Sequence, residues 1–310
     1  RESKTPSRGR LPKKIECLGG RTSTAREKAQ VITELRHKHK LAVLLNVANM
    51  TRSTYYYYFK QAKKPDKYEE TKKVLRKIYE ENKGRIGHRR ITLALQNEGL
   101  QINHKTVLKL MRQMGLFCRV RMSKYHSYKG EVGVIAPDLL GRKFKADRPN
   151  QKWVTDVTVF TMFDQKLYLS PIIDLYSRDI VSYAISEHPR LPLVINMLEE
   201  AFRELPDGTN LILHSDQGWQ YQHKNYQSML SEKGVRISMS RRGNCLDNAV
   251  IESFFGVLKS ELLYLQEFDS MGQFKQELIA YLDYYNNRRI KGNLNGLPPA
   301  LHRQRALLVA

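Results

Sequence analysis

The sequence predicts an α/β protein divided along its length, with helices in front and a mixed sheet with covering helices behind. Three observations point there. Residues 25–115 carry apolar positions at helical spacing. Residues 149–240 carry short β-branched runs separated by turns and helical stretches. The charge is split as well. Residues 1–150 hold 36 Lys and Arg against 13 Asp and Glu, whereas residues 151–310 hold 17 against 18, so the net +22 belongs to the front half. A polycation confined to one half points to binding of a phosphate backbone, since solubility needs no such confinement.

Residues 1–24 are rich in Arg, Lys, Gly, Ser and Pro and read as a flexible basic arm. The chain opens on Arg1, not Met, as a segment of a longer protein would. Residues 25–62 predict three helices, around Val31 and Leu35, over Leu41–Ala48, and over Thr51–Lys60. The turn at Asn49-Met50 before Thr51, Arg52, Ser53 and Thr54 gives a helix-turn-helix-like unit that places Arg52 and Ser53 toward DNA. An ordinary three-helix packing unit is the competing account. Four consecutive tyrosines, Tyr55 to Tyr58, cannot all be buried on one helix, so one or two should be exposed.

Residues 67–115 predict a second unit. A charged amphipathic helix spans 67–83, another spans Arg89–Asn97 before Gly99, and a third follows the Asn103 cap and stops at Gly115. Its expected DNA contacts are Arg89, Arg90, His104, Lys105, Lys109 and Arg112. Residues 116–148 lack a clear period and read as a basic linker tracking phosphates, with Lys124, Arg142 and Lys143 as contacts.

From residue 149 the pattern changes. Trp153–Met162, Lys166–Leu175 and Asp179–Ile185 read as three successive strands, Leu191–Leu205 as a helix and Asn210–His214 as a fourth strand. Lys224–Lys233 is a further helix, Val235–Ser238 a short strand, and Asn244–Leu265 a long amphipathic helix with Asn244 and Asp247 as capping residues. Leu246, Val250, Ser253/Phe254, Val257/Leu258, Leu262 and Leu265 form its expected buried stripe, with Asn248, Glu252 and Lys259 on the other face. Antiparallel strands followed by alternating helices and parallel strands is the ribonuclease-H-like order. A helix over 268–290 closes this domain (149–290), with Asn286–Arg289 and Lys291 as polar residues placed to touch DNA, and 291–310 reads as a basic tail.

Three acids stand out. Asp156 interrupts the apolar run Trp153–Phe160, where an unpaired carboxylate is costly. Asp216 ends the apolar strand at Leu211–Ser215, and Glu252 lies on the long helix with 35 residues between it and Asp216. Hard carboxylate oxygens suit Mg²⁺, and a pair of such ions can serve phosphodiester chemistry. The other acids have blander explanations: Asp164 and Asp207 sit in turns, Asp247 in a cap, and Asp174 in a salt bridge with Arg178. Cys17, Cys118 and Cys245 form neither a disulfide framework nor a zinc set with His37 and His39, and they suit a reducing cytosol.

Asp156, Asp216 and Glu252 at this spacing, with Lys259 seven residues on, resemble the D,D-35-E signature of retroviral integrases and insertion-sequence transposases. The words His214–Tyr221, Ser240–Glu252 and Tyr285–Arg289 resemble more closely the second-frame transposases that move through figure-eight and circular DNA intermediates. The resemblance covers residues 67–303. It implies catalytic and metal-ligating roles for Asp156, Asp216 and Glu252, two Mg²⁺ ions with Mn²⁺ as a substitute, and DNA contacts from Lys259 and Asn248. It also implies double-stranded DNA partners (terminal inverted repeats and target DNA) and a homodimer or larger synaptic assembly. Expected localisation is the bacterial cytoplasm at the nucleoid, without membrane contact or visible signal peptide. Two alternatives stay open on the residues alone: a stand-alone metal nuclease, and a repressor with a silent core.

Overall fold

The computed structural model describes residues 24–120, 135–207, 209–241 and 245–309. The expected contact Lys124, and the Asn244 cap, lie outside these residues. The chain forms two compact units, Arg1–Thr71 and Lys72–Ala310.

The first unit contains α1 (Ala25–Leu35), α2 (Leu41–Val47) and α3 (Arg52–Lys63). Thr24 and Glu27 form a reciprocal capping box, and Thr51 caps α3 through the Thr54 amide. Ala29, Ile32, Leu44, Leu45, Ala48 and Tyr55 make its small core. Tyr55 is fully buried while Tyr57 is 58% exposed, so the tyrosine run divides between core and surface as helical geometry requires.

The second unit begins within α4 (Glu69–Glu81) and continues with α5 (His88–Asn97) and α6 (His104–Gln113). Leu75, Ile91, Leu95, Val107 and Leu110 are buried among them. The Asn103 side chain accepts the Lys105 amide and caps α6.

The sheet comprises β1 (Lys152–Thr155), β2 (Thr158–Met162), β3 (Gln165–Asp174), β4 (Ile180–Ser186), β5 (Ile212–Ser215) and β6 (Arg236–Met239). β1 and β2 both pair antiparallel with β3, Thr155 facing Ile172 and Thr158 facing Leu169. The register is continuous, so the expected strand Trp153–Met162 is one line broken at Asp156-Val157. The break has a covalent reason. Pro171 stands opposite Asp156 in this register, and proline has no N–H for the ladder. β4 pairs with the other edge of β3, while β5 runs parallel to β1 and β6 parallel to β5.

Both faces of the sheet are covered, which is why its inner strands read as nearly unbroken apolar runs. α7 (Leu191–Phe202) and α8 (Lys224–Glu232) cover one face, over Trp153, Ile172 and Leu213. α9 (Ala249–Leu258) and α10 (Met271–Asn287) cover the other, over Val154, Phe160, Leu169 and Ile173.

Three expectations about this half are corrected. The Asn244–Leu265 stretch is not one regular helix: a 3₁₀ turn at Cys245–Asn248 precedes α9, and a π turn at Lys259–Leu263 follows it. The buried stripe is therefore Ile251, Phe254, Phe255, Leu258 and Leu262, while Leu246 is 57% exposed. Asp174 is buried, but its ion pair is with Arg303 at 3.0 Å, and it also accepts from Trp153 Nε1 and the Asn150 and Tyr176 amides. Arg303 belongs to α11 (Pro299–Val309), so the expected basic tail is a helix packed on α10 and pinned to the end of β3.

Within this unit, the connection between α4 and α5 rests on α10. Tyr284 Oη bonds Asn82 Oδ1 at 2.7 Å, Arg85 lies 5.3 Å from the rings of both Tyr281 and Tyr284, and Lys83 pairs with Glu277 at 3.2 Å. At the centre is Glu261, buried, with Arg289 at 2.7 Å, Arg90 at 3.3 Å and the Tyr281 hydroxyl at 3.0 Å. Burial pulls the Glu261 pKa up, but the hydrogen bonds and charges of Arg289 and Arg90 outweigh it and the net shift is downward. Among the described residues, no helix is long and apolar enough to cross a membrane.

Candidate active site

Asp156 stands in the β1/β2 break, its carboxylate accepting the Val157 amide at 2.7 Å. Asp216 follows β5, beside β1 in the sheet, and accepts the Gly218 amide at 2.9 Å. Gly218 has a steric reason to be glycine: a Cβ there would sit 2.6 Å from Gln220 Nε2 and 3.0 Å from Asp216 Oδ1. Glu252 lies in the first turn of α9, and Lys259 follows seven residues on.

The electrostatics tie these four residues together. Burial pushes the Asp156 carboxyl well up, the Asp216 charge adds to it, the Val157 amide opposes it, and the charges of Glu252 and Lys259 also reach it with opposite signs. Burial raises Asp216 against the pull of the Gly218 amide, and burial raises Glu252. Lys259 is lowered by burial and held up by Asp156. Acids gathered in a partly dry site at elevated pKa suit a cationic partner. Their donor set is all hard oxygen, as a divalent ion of the magnesium type requires. As they stand, among the described residues no three His, Cys, Asp or Glu side chains are gathered closely enough to hold a metal. Both aspartates accept backbone amides of their own loops instead.

Asn248, expected on the polar face, is buried at the start of α9, and neither atom of its amide has a hydrogen-bond partner among the described residues. Two residues without an assigned role from the sequence also line this region. Tyr221 is fully buried, and its hydroxyl is pushed well up by burial and by the charges of Asp156 and Asp216. Tyr226 is raised by burial and by Asp216. Both stand between polar neighbours, Gln220 and Gln222 for Tyr221 and Asn225 and Gln227 for Tyr226, so no apolar pattern marks this pair as buried. Trp219, next to Gly218, is 49% exposed.

The expected DNA contacts divide. Arg89, His104, Lys105, Lys109 and Arg112 are exposed on α5 and α6, with His104 stacked on His88 at 6.2 Å. Arg52 and Ser53 are exposed at the start of α3, Arg52 lying 5.9 Å from the Tyr56 ring. Lys143 is exposed. Arg90 turns inward to Glu261, whereas Arg142 stays exposed while pairing with the buried Asp247 at 2.8 Å. Asp247 is accordingly no simple cap. Arg241 and Arg142 hold its carboxyl well below the usual range against the opposing effect of burial. Of the expected contacts at 286–289, Asn286 bonds the Ile180 backbone in both directions and Arg289 is buried on Glu261, because the turn after α10 folds back onto the core.

A mixed sheet of this order behind a helix-turn-helix-like unit defines an integrase-type recombinase core. Residues 146–245 and 252–307 match the integrase core domain, and residues 66–124 match the HTH-like domain. The putative transposase InsK for insertion sequence element IS150 of Escherichia coli (strain K12) is 50% identical over 279 residues, covering 90% of this chain and 99% of that one. The transposase for insertion sequence element IS904 of Lactococcus lactis is 36% identical over 243 residues, covering 76% and 96%. The HTLV-2 integrase catalytic core domain in complex with magnesium aligns with a TM-score of 0.41 at 18% identity, over 51% of this chain and 99% of that one. The chain belongs to the insertion-sequence transposases.

Proposed function

We propose that this transposase binds the terminal inverted repeats of its element, cuts one strand at each end, and joins the freed 3′-hydroxyl to another phosphodiester, using Asp156, Asp216 and Glu252. The observation that carries this reading is the Asp156 carboxylate, set in a proline-enforced strand break under the charges of Asp216, Glu252 and Lys259. Asp156, Asp216 and Glu252 would hold two Mg²⁺ ions, with Mn²⁺ as a substitute. When bound, such ions activate an attacking oxygen and stabilise a leaving one.

The chain's own residues supply the rest. The two aspartates directly follow adjacent parallel strands, β1 and β5, and Glu252 lies on a helix packed against the same sheet, so the carboxylates are held at the ends of rigid elements. Lys259 offers a cation to a phosphate oxygen beside Asp156. Asn248 offers both atoms of an amide that has no partner among the described residues, from the start of the same helix. Arg89, Lys105, Lys109 and Arg112 present an exposed basic face for duplex DNA, with Arg52 and Ser53 a second contact point. A homodimer or larger synaptic complex in the bacterial cytoplasm, pairing two ends, fits the single acid set per chain.

Incubation with Mg²⁺ and a duplex carrying the element's end tests the reading. A joined strand-transfer product is expected. Hydrolysis without joining would favour a nuclease, and binding without cutting a repressor. Glu252→Gln should abolish both steps and leave end binding within about two-fold; cutting by that variant would overturn the site assignment.

A further inference from the structure

Behind α9 lies a second feature, a cavity of about 450 Å³ between that helix and the turn following α10. Val250, Ser253 and Val257 line one wall. At 3.6 residues per turn these positions lie roughly a third of a turn round the helix from Glu252, so the cavity faces away from the acids. Arg90, Arg178, Arg289 and Lys291 also line it, and the lining includes no carboxylate.

The charge there does not balance. The neighbouring acid, Glu261, is already engaged by Arg289 at 2.7 and 2.8 Å, by Arg90 at 3.3 Å and by Tyr281. Arg178 makes a long contact of 3.4 Å to the Phe144 carbonyl, and Lys291 lies 4.6 Å over the Tyr285 ring and bonds its hydroxyl. Neither forms a salt bridge among the described residues. Burial lowers Arg178 against the opposing charges of Tyr285 and Asp174, and burial with the charges of Arg289 and Arg178 takes Lys291 down to about 7 although Glu261 pulls it up. A buried ammonium facing further cations is costly unless an anion joins them, and arginine forks suit the oxygens of a phosphate.

We propose that this cavity is a phosphate-binding site, occupied in the working protein by a backbone phosphate of the element's end DNA held by Arg178 and Lys291. Because Arg90 comes from α5 and Lys291 from beyond α10, an occupied site would bridge the helix-turn-helix-like segment and the catalytic half. Only the source of the phosphate rests on the transposition reading, and no readout below depends on cleavage.

Two measurements on the full chain, its Lys291→Met and Arg178→Gln variants, and Glu252→Gln as a site control, decide the matter. In the first, inorganic phosphate is titrated at constant ionic strength against chloride while melting is followed. In the second, affinity for a duplex carrying the element's end is measured across salt concentrations. The expected result is a phosphate-dependent rise in Tm for wild type and Glu252→Gln that both pocket variants lose. Each pocket variant should also bind DNA on the order of ten-fold more weakly, with a log–log salt slope shallower by about one. Loss of phosphate protection with an unchanged salt slope would make the ligand a free phosphate and overturn the DNA assignment. Equal protection of wild type and both variants, or none for any, would overturn the site. Lys291→Met removes a buried charge and should fold; circular dichroism checks both variants.

Discussion

Gly218 donates its backbone amide to Asp216 at 2.9 Å, and a Cβ at this position would press on the same carboxylate at 3.0 Å. The hydrogen bond opposes the rise that burial imposes on the Asp216 carboxyl, so one glycine both aims this acid and favours its ionised form. Gly218→Ala should force Asp216 or Gln220 to shift by several tenths of an ångström. Misplacement of that order at a reacting centre costs on the order of 10–100-fold in rate. Strand transfer measured beside end binding checks this: joining should fall in that range while affinity stays within about two-fold. Unchanged joining would mean that Asp216 need not be held there.

How far the sequence carried the reading is clearest at these acids. The sequence singles out Asp156 and Asp216 because each ends or interrupts an apolar run, and Glu252 because of its spacing from Asp216. The break beneath Asp156 is not legible there, since it depends on Pro171 standing opposite, and strand register is a long-range property. Leu246 was misassigned because a regular 3.6-residue period was extended through a segment that is 3₁₀ before Ala249 and π after Leu258. Arg90 and Arg289 read as surface cations because sequence gives charge but not the buried carboxylate, Glu261, that draws them inward.

The Glu261 cluster predicts a stability effect far from the chemistry. Glu261→Gln would leave Arg289 buried without its anion, and breaking a buried pair this way costs about 3–5 kcal/mol. Tm should fall on the order of 10 °C for a unit of this size. The pH dependence follows from the lowered pKa of Glu261. Its contribution is complete above the unfolded glutamate value of about 4.3 and is lost as pH falls through the lower folded value. Urea melts between pH 6 and pH 3 should therefore converge for wild type and variant toward the acid end. A constant gap would assign the loss to packing alone.

Arg142 and Arg112 should separate by kind of defect. Arg112 is exposed on α6, so Arg112→Ala should weaken end binding uniformly and make the salt slope shallower by about one. Arg142 holds Asp247 ahead of α9. Arg142→Ala should lower joining by on the order of ten-fold through the placement of Glu252, with little change in salt slope. A slope change for Arg142→Ala equal to that of Arg112→Ala would return Arg142 to the DNA surface.

Lys291 gives the chain an alkaline signature. Its pKa is taken down to about 7 by burial and by Arg289, Arg178 and Arg90, with Glu261 pulling the other way and Tyr285 against its ammonium. Between that value and the unfolded lysine value of about 10.4, the unfolded chain binds a proton that the folded chain does not. Stability should therefore rise with pH through this window, by on the order of a few kcal/mol, and be lowest below pH 7. Lys291→Met should flatten the rise and exceed wild type most at pH 6. Phosphate held at saturating concentration should do the same without mutation, by keeping the ammonium charged in the folded state. Denaturant melts at pH 6, 8 and 9.5, with and without phosphate, read both effects. A wild-type curve that is flat across those three points would mean that the Lys291 ammonium is already compensated.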